Sequence, residues 1–161
     1  MANTFTQIHI HAIFAVRFRN ACISSSWKEE LHKYITGIVR NHEHKVLAIN
    51  SMPDHMHLLV GLRPVQSLSA LMQDVKTGSS KWINDRGFCC GKFRWQEGFG
   101  GFSVGKRDVY RVINYIMNQE EHHRKVTFRD EYKEFLRENE IEFDEKYIFS
   151  DPQEPPVFTD L

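Results

Sequence analysis

No stretch of this sequence approaches the roughly 18 consecutive apolar residues that a membrane-spanning helix needs. The opening MANTFTQIHIHAIF lacks a basic segment followed by a continuous apolar run, so a secretory leader is not expected. Cysteine is scarce: Cys22, Cys89 and Cys90 make an odd count without zinc-type spacing, and neighbours such as Cys89 and Cys90 rarely bridge each other. Cys89 and Cys90 therefore read as loop or packing residues. A reducing, cytoplasmic setting with no membrane partner is the expectation. A Gly-rich phosphate loop of the GxxxxGK type is missing, which excludes that kind of nucleotide site. Net charge is missing too. The 21 Lys/Arg and 21 Asp/Glu cancel, which excludes a simple polybasic binder.

What is present is an apolar content of 41% in 161 residues, enough for one compact domain, expected over residues 1–150. The end, DPQEPPVFTDL (151–161), is acidic and Pro-rich and is expected to be poorly ordered. The zero net charge hides an asymmetry. Residues 1–119 hold 15 basic and 8 acidic side chains, whereas residues 120–161 hold 6 and 13. A basic body with an acidic end is a mild sign of a polyanionic partner, and ordinary solvated surface explains it equally well. Trp82, Phe88, Phe93, Trp95, Phe99 and Phe102 are interleaved with the basic residues of 63–107. They suit either stacking platforms for single-stranded nucleic acid or a core.

Apolar periodicity predicts a strand over 5–16, a helix over 27–43, strands over 45–50 and 55–62 joined by a turn at Pro53, and a helix starting near Ser67. One or two strands around glycines are predicted in 92–104, a helix over 107–123 and a last helix over 127–138. That order suggests an α+β domain of ferredoxin-like or RRM-like outline: an antiparallel sheet with helices on one face, plus an extra C-terminal helix.

His55 and His57 flank Met56, and alternation along a strand points both imidazoles to one side. Two such imidazoles make a two-point metal platform that still needs a third ligand. His-x-His by itself is more often a pair of surface histidines. In the helix over 107–123, Val109, Val112, Ile113 and Ile116 form one apolar stripe. Tyr115 lies roughly 120° from the centre of that stripe and Gln119 about 80°. The two share a face one turn apart. On periodicity alone they read as a boundary tyrosine and a solvated glutamine. His9 and His11 also share a strand face, without a match to any site.

Taken together, four segments change this picture. They are MPDHMHLLV at 52–60, DVKTGSSKWIN at 74–84, WQEGFGGFSV at 95–104 and YIMNQEEHH at 115–123. In this order the sequence resembles the single-tyrosine HUH transposases, a group that includes the REP-associated tyrosine transposases, over roughly residues 5–137. The resemblance implies that His55 and His57 bind a divalent ion, usually Mg²⁺ or Mn²⁺, and that Gln119 is the third ligand. It implies that Tyr115 is the nucleophile that nicks and rejoins single-stranded DNA through a 5′-phosphotyrosine intermediate, with a DNA hairpin as the recognised partner. Homodimers are known in the family, and one is expected here. Two features depart from the pattern. The first strand ends in VRFRN where a threonine-lysine pair is more usual, and the acidic extension after residue 138 has no family counterpart. Lys76, Lys81, Arg94, Lys106 and Arg107 are the candidate phosphate contacts. A neutral set of two imidazoles and an amide is expected to hold its ion weakly until DNA supplies oxygens. The alternative reading is a domesticated hairpin-binding protein without transposition activity.

Overall fold

The computed structural model describes residues 3–17 and 22–148. The expected disorder of 151–161 and the VRFRN departure beyond Arg17 lie outside the described residues. Four strands form one antiparallel sheet: β1 (His9–Ala15), β2 (Lys45–Met52), β3 (His55–Gly61) and β4 (Gly100–Val104), in the order β2-β3-β1-β4. Both β2–β3 and β1–β3 pair over long registers, with Ala15 opposite His55 and Ile13 opposite His57.

Two helices cover one face. They are α1 (Lys28–Asn41) and α2 (Leu68–Arg86). Leu31, Ile35 and Val39 of α1 and Leu71, Met72, Val75 and Ile83 of α2 pack on Ala12, Phe14, Met56, Leu58 and Val60. Ser67 starts α2 by accepting a hydrogen bond from the Ala70 amide at 3.1 Å, and Gly87 ends it in the left-handed region at φ 65°.

The expected α+β antiparallel sheet is therefore present, but the helices do not stay on one face. A second layer lies opposite: α3 (Val109–Met117), α4 (Gln119–His123) and α5 (Phe128–Glu138). Val109 and Ile116 of α3 pack on Ala48 and Leu59, and Phe128, Tyr132 and Leu136 of α5 pack with Ile13, Ala15 and Phe102. The outward residues of β1 and β3 are thus buried as well. The cause is chemical: α3 and α5 each carry an apolar stripe that must find a partner surface, and the remaining sheet face is the one available. Thr127 caps α5, accepting from the Asp130 amide at 3.2 Å, as the Thr-to-Asp spacing suggests.

One further expectation is corrected and two open readings are narrowed. The helix over 107–123 is interrupted: a 3-10 turn at Lys106–Asp108 leads into α3, and Asn118 leaves helical geometry at φ −102°, ψ 23° before α4 begins. Asn is a weak helix former, and its break re-aims the residues that follow. Only Gly100–Val104 of the 92–104 segment is a strand, with one isolated bridge between Val16 and Trp95. The aromatics of the basic stretch are not stacking platforms. Phe93, Trp95 and Phe102 are buried, and Trp82, Phe88 and Phe99 pack against the α1/α2 core.

Cys89 is not merely a packing residue, because its sulfur is bonded to that of Cys22 across 67 residues, while Cys90 is free and exposed. Among the described residues no helix is long and apolar enough to cross a membrane.

Candidate active site

His55 and His57 lie on the sheet face that α3–α5 cover, and both are almost fully buried. His57 sits beside His11 of β1, whose Nε2 is 2.8 Å from His57 Nδ1. Their neighbour His123 comes from α4, and its Nδ1 donates to the Val126 carbonyl at 2.8 Å. His55 Nδ1 donates to Asp54 Oδ1 at 2.7 Å. Burial first, and then the neighbouring His57, push the His11 pKa down to about 3, so His11 is neutral and can accept from His57. All three Nε2 atoms turn inward; a cation among them would leave each imidazole its proton on Nδ1, and without one Nε2 of His57 and His123 can donate to the acceptors they face. Metal-binding histidines are usually oriented this way: the far nitrogen is anchored so that the near one presents its lone pair.

What the Nε2 atoms meet is Glu131, 3% exposed, on the buried stripe of α5. Glu131 Oε1 lies 3.0 Å from His57 Nε2 and 3.7 Å from His55 Nε2, and Oε2 lies 3.3 Å from His123 Nε2. Burial works against the carboxylate's charge, but hydrogen bonds with His123 and His57 outweigh it and hold Glu131 well below the usual carboxylate range. His57 is pushed the other way: burial disfavours its cation despite Glu131.

The ligand atoms of His55, His57, His123 and Glu131 all lie within 4.8 Å of one another. Donors on opposite sides of a divalent ion stand about 4.2 Å apart, so small movements would let these four close on a cation. His55 Nε2 is buried without a hydrogen-bond partner, which an ion in this position would satisfy. The residues present fit a divalent metal.

Tyr115 enters from α3. Asn50 of β2 donates to the Ile116 carbonyl at 2.8 Å and fixes this turn of the helix against the sheet. The phenol donates to Glu131 Oε2 and lies 3.2 Å from His122 Nε2. Its ring centroid is 5.9 Å from that of His57. Burial first, and then the Glu131 charge and hydrogen bond, raise the phenol's pKa, so the resting tyrosine keeps its proton. Tyr115 is not a surface tyrosine. It lines a cleft of about 410 Å³ together with Arg111, His122, Glu134 and Phe135.

Gln119 is fully buried rather than solvated. Its amide donates to the Tyr115 carbonyl at 3.2 Å, and its Oε1 lies 2.8 Å from His123 Nε2. The structure thus brings Tyr115, His55 and His57 together around Glu131 in one chain, with Gln119 joined to them through His123.

The candidate phosphate contacts are scattered. Lys76 is half-buried, and its ammonium donates to the Gln96 and Gly98 carbonyls. Burial lowers its pKa to about 8. Lys76 therefore fastens a loop. With Arg17, Arg94 and Lys146 it lines a separate groove of about 760 Å³. Lys81 is exposed and pairs with Asp85 at 2.7 Å. Lys106 and Arg107 stand exposed on the turn before α3.

Sequence reasoning assigned no site role to His11 or Glu131 and left the role of His123 open. For Glu131 a signal existed. Phe128, Glu131, Tyr132, Phe135 and Leu136 follow the i, i+3, i+4, i+7, i+8 pattern, so the acid occupies a position where an apolar residue is expected. An ionisable group there must be paired, and here it is.

Residues 4–119 match the family described as Transposase IS200 like. ISDra2 transposase TnpA of Deinococcus radiodurans is 25% identical over 75 residues, which cover 47% of this chain and 54% of that protein. The match thus spans about half the length of the curated relative. Two solved structures share the fold. A candidate transposase from Deinococcus radiodurans R1 has a TM-score of 0.59 at 19% identity, covering 74% of this chain and 95% of that one. A REP-associated tyrosine transposase bound to a REP hairpin has a TM-score of 0.58 at 17% identity, covering 78% and 74%. With most of its length matched, from the first strand through the tyrosine helix, the chain belongs to the IS200-like transposase family.

Proposed function

We propose that the protein is a metal-dependent transposase that cuts and rejoins single-stranded DNA at hairpins, with Tyr115 as nucleophile and His55, His57 and Gln119 as holders of a Mg²⁺ or Mn²⁺ ion. One observation carries the reading: the Tyr115 hydroxyl and the inward Nε2 atoms of His55 and His57 all meet the same Glu131 carboxylate. A structural tyrosine needs no such company.

When bound, a divalent ion supplies charge that polarises the scissile phosphodiester and stabilises its developing negative charge. The chain's own residues do the rest. Glu131 Oε2 receives the phenol's hydrogen bond and fixes where its oxygen points. The attack forms a bond from Tyr115 Oη to phosphorus and breaks the bond to the 3′ oxygen, with the phenolic proton ending on that 3′ hydroxyl. The 5′-phosphotyrosine keeps the phosphodiester's energy, so rejoining needs no nucleotide cofactor. Arg94, beside Arg17 and Lys146, and Lys106 and Arg107 before α3, supply charge for the backbone of the hairpin, while Lys76 shapes the groove. The hairpin-bound relative supports that partner. The family resemblance supports a homodimer.

The test is an incubation with hairpin-bearing single-stranded DNA and Mn²⁺. A covalent protein–DNA adduct is expected from the wild type and none from Tyr115→Phe. Equal behaviour of the two across a broad hairpin set refutes the nucleophile.

A further inference from the structure

The family match ends at residue 119, yet two of the groups that face the histidine pair come later, from residues 123 and 131. We propose that His123 and Glu131 are metal ligands that complete, with His55 and His57, a three-histidine, one-carboxylate centre selective for Mn²⁺ or Zn²⁺ over Mg²⁺ and occupied before DNA arrives. This deepens the metal-dependent reading above, rests on it for the cation's role, and moves Gln119, whose Oε1 lies 2.8 Å from His123 Nε2, from direct ligand to a neighbour of His123.

Four features of the site lead there. First, every one of the three imidazoles is anchored through Nδ1, by Asp54, His11 or the Val126 carbonyl, leaving Nε2 for an ion. Second, three inward imidazole nitrogens crowd one carboxylate: His57 and His123 can share a hydrogen with Glu131, whereas His55 Nε2 has no partner. A dication satisfies all four groups at once. Third, Glu131 brings the negative charge that two imidazoles and an amide lack, so binding no longer waits for phosphate oxygens. Fourth, its backbone is held by the apolar stripe of α5, with Phe128, Tyr132 and Leu136 buried on either side. Imidazole nitrogens favour Mn²⁺ and Zn²⁺, whereas Mg²⁺ prefers an all-oxygen shell. His122 stands apart from this set, because its Nε2 already faces Tyr115 Oη and Glu131 Oε2 from the cleft side.

The test is titration calorimetry of the metal-free full chain with MnCl₂ and with MgCl₂, without DNA. Pulsed electron paramagnetic resonance of the Mn²⁺-loaded protein then counts the coupled imidazole nitrogens. The wild type is expected to take one Mn²⁺ with three nitrogens and to bind Mg²⁺ far more weakly. Glu131→Gln and His123→Gln are each expected to weaken Mn²⁺ binding at least about tenfold. His123→Gln should leave two nitrogens, and Asp130→Asn, an exposed acid on the helix that carries Glu131, should change nothing. Should Glu131→Gln fail to fold by circular dichroism, the nitrogen count in His123→Gln decides. Wild-type affinity in both variants overturns the proposal. So does tighter binding in Glu131→Gln, which would make the carboxylate a competitor of the ion, or an absence of DNA-free Mn²⁺ binding in the wild type. Metal binding as stated with no DNA adduct would sink the transposase reading alone, and DNA cleavage indifferent to residues 123 and 131 would sink this inference alone.

Discussion

Glu131 is the residue on which the site turns, since four imidazoles and a phenol stand around its two oxygens. In chelator, Glu131→Ala leaves those groups facing a hole, and we expect a loss on the order of 1–3 kcal/mol in urea unfolding. A second residue gives a pH prediction away from the site. His32 is part-buried, with Nε2 2.8 Å from Ser51 Oγ, and burial followed by the charge of Lys28 lowers its pKa to about 4. The unfolded chain holds that proton up to about pH 6.5. The folded form therefore has its full advantage above pH 6.5 and loses it as pH falls towards 4. Unfolding free energy should drop by about 1–2 kcal/mol across that window, the partial exposure discounting a larger nominal figure. His32→Asn should flatten the slope. Legibility differed sharply among residues. His55, His57 and Tyr115 could be read because their spacing is short-range and matches a family. For Glu131 the sequence signals only that an acid sits on an apolar stripe; its partners are not legible, because they depend on which surface the helix meets 74 residues from His57 in sequence.

Among the elements, α5 holds the site closed, and its seat on β4 depends on a glycine. A Cβ at Gly100 would meet Tyr132 Cε2 at 2.8 Å and its hydroxyl at 2.9 Å. Tyr132 belongs to the helix that carries Glu131, so Gly100→Ala pushes α5 off the sheet. We expect a loss of about 1–3 kcal/mol in denaturant unfolding and, in calorimetry, weaker Mn²⁺ binding, although Gly100 touches none of the metal-facing groups. The core-facing elements were largely legible. The helix predicted over 27–43 appears as Lys28–Asn41, and the strand pair around Pro53 is present. Periodicity reports that a helix has an apolar stripe but not which side of a sheet receives it, so the second helical layer was missed. The break at Asn118 was missed for a related reason: the apolar stripe runs only through Ile116 and says nothing of where the turns after it point.

At the scale of the whole molecule, the described part of the acidic end, up to residue 148, does more than line the surface. Part of it is folded into the site as Glu131, and Glu134 and Glu138 line the same cleft as Tyr115. Because Tyr115 and the imidazoles meet within one chain, the proposed reaction needs no second subunit, and mixing Tyr115→Phe with His57→Ala should not restore the covalent DNA adduct in any proportion. Recovery on mixing would mean that tyrosine helices are exchanged between subunits. The placement of α5 also sets how far the chain can be shortened. A version trimmed to the family-matching residues 4–119 keeps the signature histidines and tyrosine, yet it uncovers Ile13, Ala15 and Phe102 to water and discards an imidazole and a carboxylate. Such a minimal module should clump rather than cut.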